Sequence, residues 1–113
     1  DTTQGFIATT IRTEVAARRA LFLTLAASSR FREAIEEANA ILSLDPGLDD
    51  VLRDRARAYL FLEPPDRRAA LKDIEEYRQR LTPSGSKDDL AQLDRDIARL
   101  KKALEDERPP VER

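Results

Sequence analysis

Apolar residues recur at steps of three and four along most of this chain, and the pattern divides it into five helices. From Glu14 to Ala27, the residues Ala17, Leu21, Leu25 and Ser28 follow helical spacing, with Phe22 beside them. Ala27-Ser28-Ser29-Arg30 interrupts the pattern, and Ser28 or Ser29 is placed to cap the next helix. Phe31, Ala34, Ile35, Ala38, Ile41 and Leu42 form the second stripe, which Asp45-Pro46-Gly47 ends because proline cannot extend the hydrogen-bond ladder.

A third helix is predicted from about Leu48 to Leu62, with Leu52, Ala56, Tyr59 and Leu60 inward. Glu63-Pro64-Pro65-Asp66 stops it. A fourth follows from about Arg67 to Leu81, with Ala70, Leu71, Ile74 and Tyr77 inward. After the loop Thr82–Ser86, Ser86 caps a fifth helix, and Asp88 and Asp89 lie at the positive end of its dipole. Leu90, Leu93, Ile97, Leu100 and Leu104 give that helix an apolar seam too short to demand a coiled coil. Residues 1–13, threonine-rich, read as an irregular lead-in that turns helical towards its end, and 106–113 as a charged flexible tail. The helical domain occupies 14–105. The fold class is therefore all-α, and the short connections make neighbouring helices antiparallel.

The helices also repeat. REAIEEANAILSLDPG aligns with RAALKDIEEYRQRLTPSG: Ala34-Ile35 matches Ala70-Leu71, Ala38 matches Ile74, and Ile41 matches Tyr77. Each segment ends in a proline, Pro46 or Pro83. Upstream, Leu21 to Leu25 matches Arg55 to Tyr59. The period, 36 residues between Ala34 and Ala70, fits a helix–turn–helix unit of about 34 residues.

FREAIEEANAILSLDP resembles the second helix of a tetratricopeptide repeat. Ala34 and Ala38 stand where the family's helices cross closely, and Leu21 and Leu25 match two first-helix core positions. Arg18 and Phe22 depart from the family pattern, as does Arg55 in place of a core leucine in the second unit. The resemblance implies two antiparallel hairpins with Leu90–Leu104 as a capping helix. ILSLDP, LRDRARAYL and AALKDIEEYRQRLTP together are similar to the C-terminal repeat region of SirB-type proteins, which carry a transglutaminase-like domain upstream. No catalytic residue of that domain lies in this chain.

Composition narrows the function. The chain has 113 residues, with neither histidine nor cysteine. Histidine- and cysteine-based nucleophile systems, cysteine-held zinc and most other transition-metal sites are therefore excluded. An enzyme is not expected, nor is a cofactor. With 20 basic and 22 acidic residues, the chain lacks the basic excess of a dedicated nucleic-acid binder. No apolar run approaches the roughly 20 residues of a membrane span. The absence of methionine implies processing or excision from a longer polypeptide. That leaves the compartment open, including an organelle reached by a targeting segment since removed.

In the tetratricopeptide family the first helices of successive hairpins line a concave face. By that resemblance Ala16, Arg19, Leu23 and Ala26 face the groove, with Asp50, Arg53, Arg57, Leu60 and Phe61 beside them. Arg19, Arg53 and Arg57 would form a basic clamp for an acidic peptide, since a guanidinium fork suits carboxylates. The competing reading is a solvated face laced with charge pairs. Arg19 and Leu23 replace the lysine and asparagine with which the family grips chaperone C-termini, so that partner is not expected. Leu60, Phe61 and Leu62 cannot all face one side of a helix, so at least one meets solvent, a partner or the fifth helix. Glu36-Glu37, Asp49-Asp50, Glu75-Glu76 and Asp88-Asp89 diverge by about 100° on a helix and read as solvated faces, not metal sites.

The expected function is protein–protein interaction, as a scaffold, assembly factor or accessory subunit of a larger complex. The alternative is the C-terminal, non-catalytic domain of a larger SirB-type protein. A third class is a structural subunit bound permanently in a large assembly.

Overall fold

The structure, a computed structural model, describes residues 2–107. Helices α1 (Thr2–Ala27), α2 (Phe31–Leu44), α3 (Asp49–Phe61), α4 (Arg67–Leu81) and α5 (Lys87–Asp106) follow one another, with no strand among the described residues. The all-α reading holds. α1 packs on α2 and α3 on α4 as two hairpins, α2 stacks on α3, and α5 lies on α4. Each helix thus rests chiefly on its chain neighbours. The result is elongated, 66 × 33 × 26 Å. Its radius of gyration of 16.8 Å exceeds the roughly 13 Å of a compact chain of this size.

Local chemistry sets most helix ends. The Asp66 side chain accepts from the Ala69 N–H at 3.0 Å, and Ser86 Oγ accepts from the Asp89 N–H at 3.1 Å. The Ser86 cap is the one read from the sequence. The serine cap expected for α2 does not form. Arg30 takes the N-cap position without a side-chain cap, and its guanidinium pairs with Glu33 instead. The serines close α1. Ser29 adopts φ 60, its N–H donates to the Ala26 carbonyl, and the Arg30 N–H donates to the Leu25 carbonyl at 2.8 Å. That pair of bonds is a Schellman ending, and the left-handed residue it requires prevents Ser29 from also capping α2.

The lead-in is helical from Thr2, contrary to the irregular segment expected over 1–13. Thr9, Thr10 and Thr13 each donate a hydroxyl hydrogen bond at 2.9 Å to a carbonyl four residues back. This back-bonding lets a threonine run stay helical. Of the tail read over 106–113, Asp106 ends α5, and residues 108–113 lie outside the described residues.

The main core joins Val15, Phe22 and Leu25 of α1 to Ala34, Ile35, Ala38 and Ile41 of α2, with Val51 and Ala58 of α3. Ala34 and Ala38 have no exposed surface, as expected where two helices cross closely. A smaller core joins Ala56, Ala70, Ile74 and Leu93.

Leu21, expected in the core, is 45% exposed, and Phe22 is buried in its place. The 34-residue register explains this. Leu21 corresponds to Arg55, and its neighbours Ala17 and Thr24 correspond to Val51 and Ala58. In α3, Val51 and Ala58 are buried in the core shared with α2, and Arg55 donates to Asn39 of α2. Among the described residues no helix packs on the equivalent face of α1.

Arginine–carboxylate pairs tie each hairpin together. Arg18 reaches Glu37 at 3.0 Å in the first hairpin, and Arg55 reaches Asp73 in the second. Glu37 and Asp73 are equivalent positions. Arg18 and Arg55 therefore each span from the first helix of a hairpin to its second.

Candidate functional site: the concave face

A cleft of about 540 Å³ lies between α3, α4 and α5. Its floor is apolar: Ala56 and Leu60 from α3, Ile74, Tyr77 and Leu81 from α4, Leu93 and Leu100 from α5. The cleft exists because α5 is anchored on α4. Leu93, Ile97 and Leu100 pack there, Arg78 holds Asp94 at 2.6 Å, and Lys101 lies 3.6 Å from Glu75. Arg67 and Glu107 pair at the far end.

The rims differ in charge. Arg53 and Arg57, one helical turn apart, stand on the α3 side, while Asp89, Asp96 and Arg99 stand on the α5 side. Arg99 is already paired with Asp96, at 3.7 Å. Arg53 lies over the Tyr77 ring, 5.8 Å from its centroid, and its Nε is buried with no hydrogen-bond partner. Its approach to Asp54 is long, 3.9 Å. Arg57 is exposed and makes no side-chain hydrogen bond or ion pair among the described residues.

A second groove, about 480 Å³, lies between α1 and α3. Leu23, Phe31, Arg57 and Phe61 border it. Phe31 and Phe61 stack with centroids 5.1 Å apart. Leu23 is 64% and Phe61 62% exposed, whereas Leu62 packs against the core. This is how the Leu60–Phe61–Leu62 run divides. Arg57 stands on the ridge between the two grooves.

The structure therefore brings five of the six expected site residues, Leu23, Arg53, Arg57, Leu60 and Phe61, to two adjoining openings. Arg19 is set apart. Its guanidinium donates to both oxygens of Asp50, at 2.9 and 3.0 Å, and this holds the Asp50 carboxyl below its ordinary value. A carboxylate already fills the third prong of the expected clamp. Arg19 still borders a small recess of about 50 Å³ beside Leu23.

Sequence reasoning missed Tyr77, Leu93, Leu100 and the acidic rim of α5. It did read the carboxylate doublets as divergent. Glu37 goes to Arg18 and Asp50 to Arg19, while Asp49 and Glu76 go to Arg80 and Glu75 to Lys101. Among the described residues no group of three or more potential ligands is placed to hold a metal ion, and no helix is long and apolar enough to cross a membrane. Comparison with protein-family models, curated proteins and solved structures finds no match to this chain.

Proposed function

We propose that this chain is a protein-interaction module, a tetratricopeptide-type pair of hairpins closed by α5, whose concave clefts receive a segment of a partner protein. The observation that carries the reading is the pair of arginines on the α3 rim of an open apolar cleft. Arg53 lines the cleft with its guanidinium over the Tyr77 ring. Arg57, one turn along, is exposed and has no hydrogen-bond or ion-pair partner among the described residues, so its guanidinium is free to meet a carboxylate that arrives with a ligand.

The chemistry of the rims defines the ligand. An apolar ridge fills the floor, acidic groups meet Arg53 and Arg57, and a basic group meets Asp89. A helix or strand with mixed flanks fits better than a uniformly acidic peptide. The mechanism is passive: prearranged helices select shape and charge, and no bond is made or broken.

Selection of a displayed peptide library against the whole chain tests this. The expected winners carry apolar residues at helical or alternating spacing beside acidic ones, and they compete with one another for one site. Enrichment of no sequence class, or of ligands indifferent to Arg53→Glu/Arg57→Glu, contradicts it.

A further inference from the structure

From the interaction function proposed above, on which this depends, we infer that the bound partner segment is an amphipathic helix. It lies across α3 and engages both openings at once, and the face it presents runs apolar, acidic, apolar, basic in that order.

The order comes from how α3 divides the concave face. Consecutive residues of a helix diverge by about 100°, so Leu60 lines the cleft beside α4 and α5 while Phe61 borders the groove beside α1. Both openings are chiefly apolar, with Leu23 and Phe61 exposed in the groove and Tyr77 and Leu93 in the cleft wall. Arg57 borders both.

Charge supplies the other two members of the order. Among the charged residues lining these openings, Asp54 lies 3.9 Å from Arg53, and Asp96 lies 3.7 Å from Arg99. Each of these four has an opposite charge beside it. Arg57 and Asp89 are exposed, and neither side chain has a hydrogen-bond or ion-pair partner among the described residues. One unanswered cation therefore stands on the ridge between the openings, and one unanswered anion stands on the α5 rim of the cleft. A segment crossing from the groove to that rim meets apolar surface, Arg57, apolar surface and Asp89 in turn.

Span and facing select the backbone. The two openings flank one helix, and a helix with its side chains is about 10–12 Å across. In a bound helix, residues i and i+7 point to one side about 10.5 Å apart, and i+4 lies between them on that side. Apolar residues at i and i+7 reach the two openings, an acid at i+4 meets Arg57, and a base at i+11 reaches towards Asp89. An extended strand rises about 3.3 Å per residue and alternates its faces. Its same-side residues fall about 7 or 13 Å apart, so they miss the spacing that the helix meets.

Fluorescence anisotropy on the full chain is the test, with a side-chain-bridged helical peptide of about 18 residues. Phenylalanine, glutamate, leucine and lysine occupy i, i+4, i+7 and i+11, and the order is made in both chain directions. One control spreads the same four side chains around the helix, and a second presents them at alternate positions of an extended peptide. The ordered helix is expected to bind, in one direction, at least about tenfold tighter than either control. Arg57→Glu is expected to weaken it about tenfold, and lysine in place of the peptide glutamate to restore most of that loss. Leu23→Ser and Phe61→Ala, both at exposed side chains, are each expected to weaken the phenylalanine peptide but not one with alanine there. Circular dichroism checks that every variant is folded.

Equal binding by either control, or no restoration by lysine, overturns the inference. Unchanged binding in both Leu23→Ser and Phe61→Ala overturns it by confining the segment to the cleft. So does silence of all the designed peptides. In that case a library-selected segment that still shifts Arg53, Arg57 and Tyr77 leaves the interaction function standing, and failure of both overturns that function too.

Discussion

Arg55 donates two hydrogen bonds to Asp73, at 2.8 and 2.7 Å, and a third to Asn39 of the preceding hairpin at 2.9 Å. Asp73 is 4% exposed, the one buried charged residue among those described. A single guanidinium thus fastens α3 to α4 and touches α2. Asp73→Ala leaves that guanidinium without its counter-charge and is expected to lower stability by about 2–3 kcal/mol, a discount on a fully buried pair because Arg55 reaches solvent. Chemical denaturation checks this. A loss well under 1 kcal/mol would mean the pair behaves as a surface contact.

Close crossing of α1 and α2 depends on Ala38, which has no exposed surface. Ala38→Trp forces the helices apart and is expected to cost about 3 kcal/mol or more. A thermal melt unchanged from wild type is incompatible with the packing described.

Ser29 sits at φ 60 with its side chain exposed. Left-handed backbone strains any residue with a Cβ, so Ser29→Gly is expected to stabilise the chain by about 0.5–1 kcal/mol. A raised midpoint in denaturant, with the slope unchanged, is the expected readout.

The carboxyls of Asp50 and Asp94 are held below their ordinary value of 3.8, chiefly by hydrogen bonds from Arg19 and Arg78. A carboxyl depressed in the folded state contributes its stability above its unfolded value. That contribution is lost as pH falls below about 4 towards the folded value. Stability is therefore expected to drop over that acid window. Asp50→Asn combined with Asp94→Asn should flatten the drop there. An equally steep acid profile in the double variant would assign the loss to other groups.

Much of this arrangement is legible in the sequence, because local chemistry writes it. Proline after Asp45, the Glu63–Asp66 stop and the Ser86 cap act within one turn, and α4 spans Arg67–Leu81 as read. What the sequence leaves hidden depends on neighbours. Leu21 and Phe22 both lie on plausible stripes. Packing decides between them: Phe22 meets α2, while Leu21 has no described helix against it. Arg19 looks like a free prong until α3 places Asp50 opposite it. Arg53, Arg57 and Leu60 share a face at helical spacing, so that wall of the cleft was readable. Tyr77, Leu93 and Leu100 join it only because α5 docks on α4. Asp73 did leave a signal, an acid interrupting the stripe of Ala70, Ile74 and Tyr77.

The central claim is that the cleft between α3, α4 and α5 is where a partner binds. Nuclear magnetic resonance titration of the full chain with a peptide selected against it tests this most directly. The account predicts shifts concentrated at Arg53, Arg57, Tyr77, Leu93 and Leu100. It also predicts an affinity loss of about tenfold or more in Arg53→Glu/Arg57→Glu, with helicity preserved. Saturable binding that leaves those five residues unshifted would contradict it.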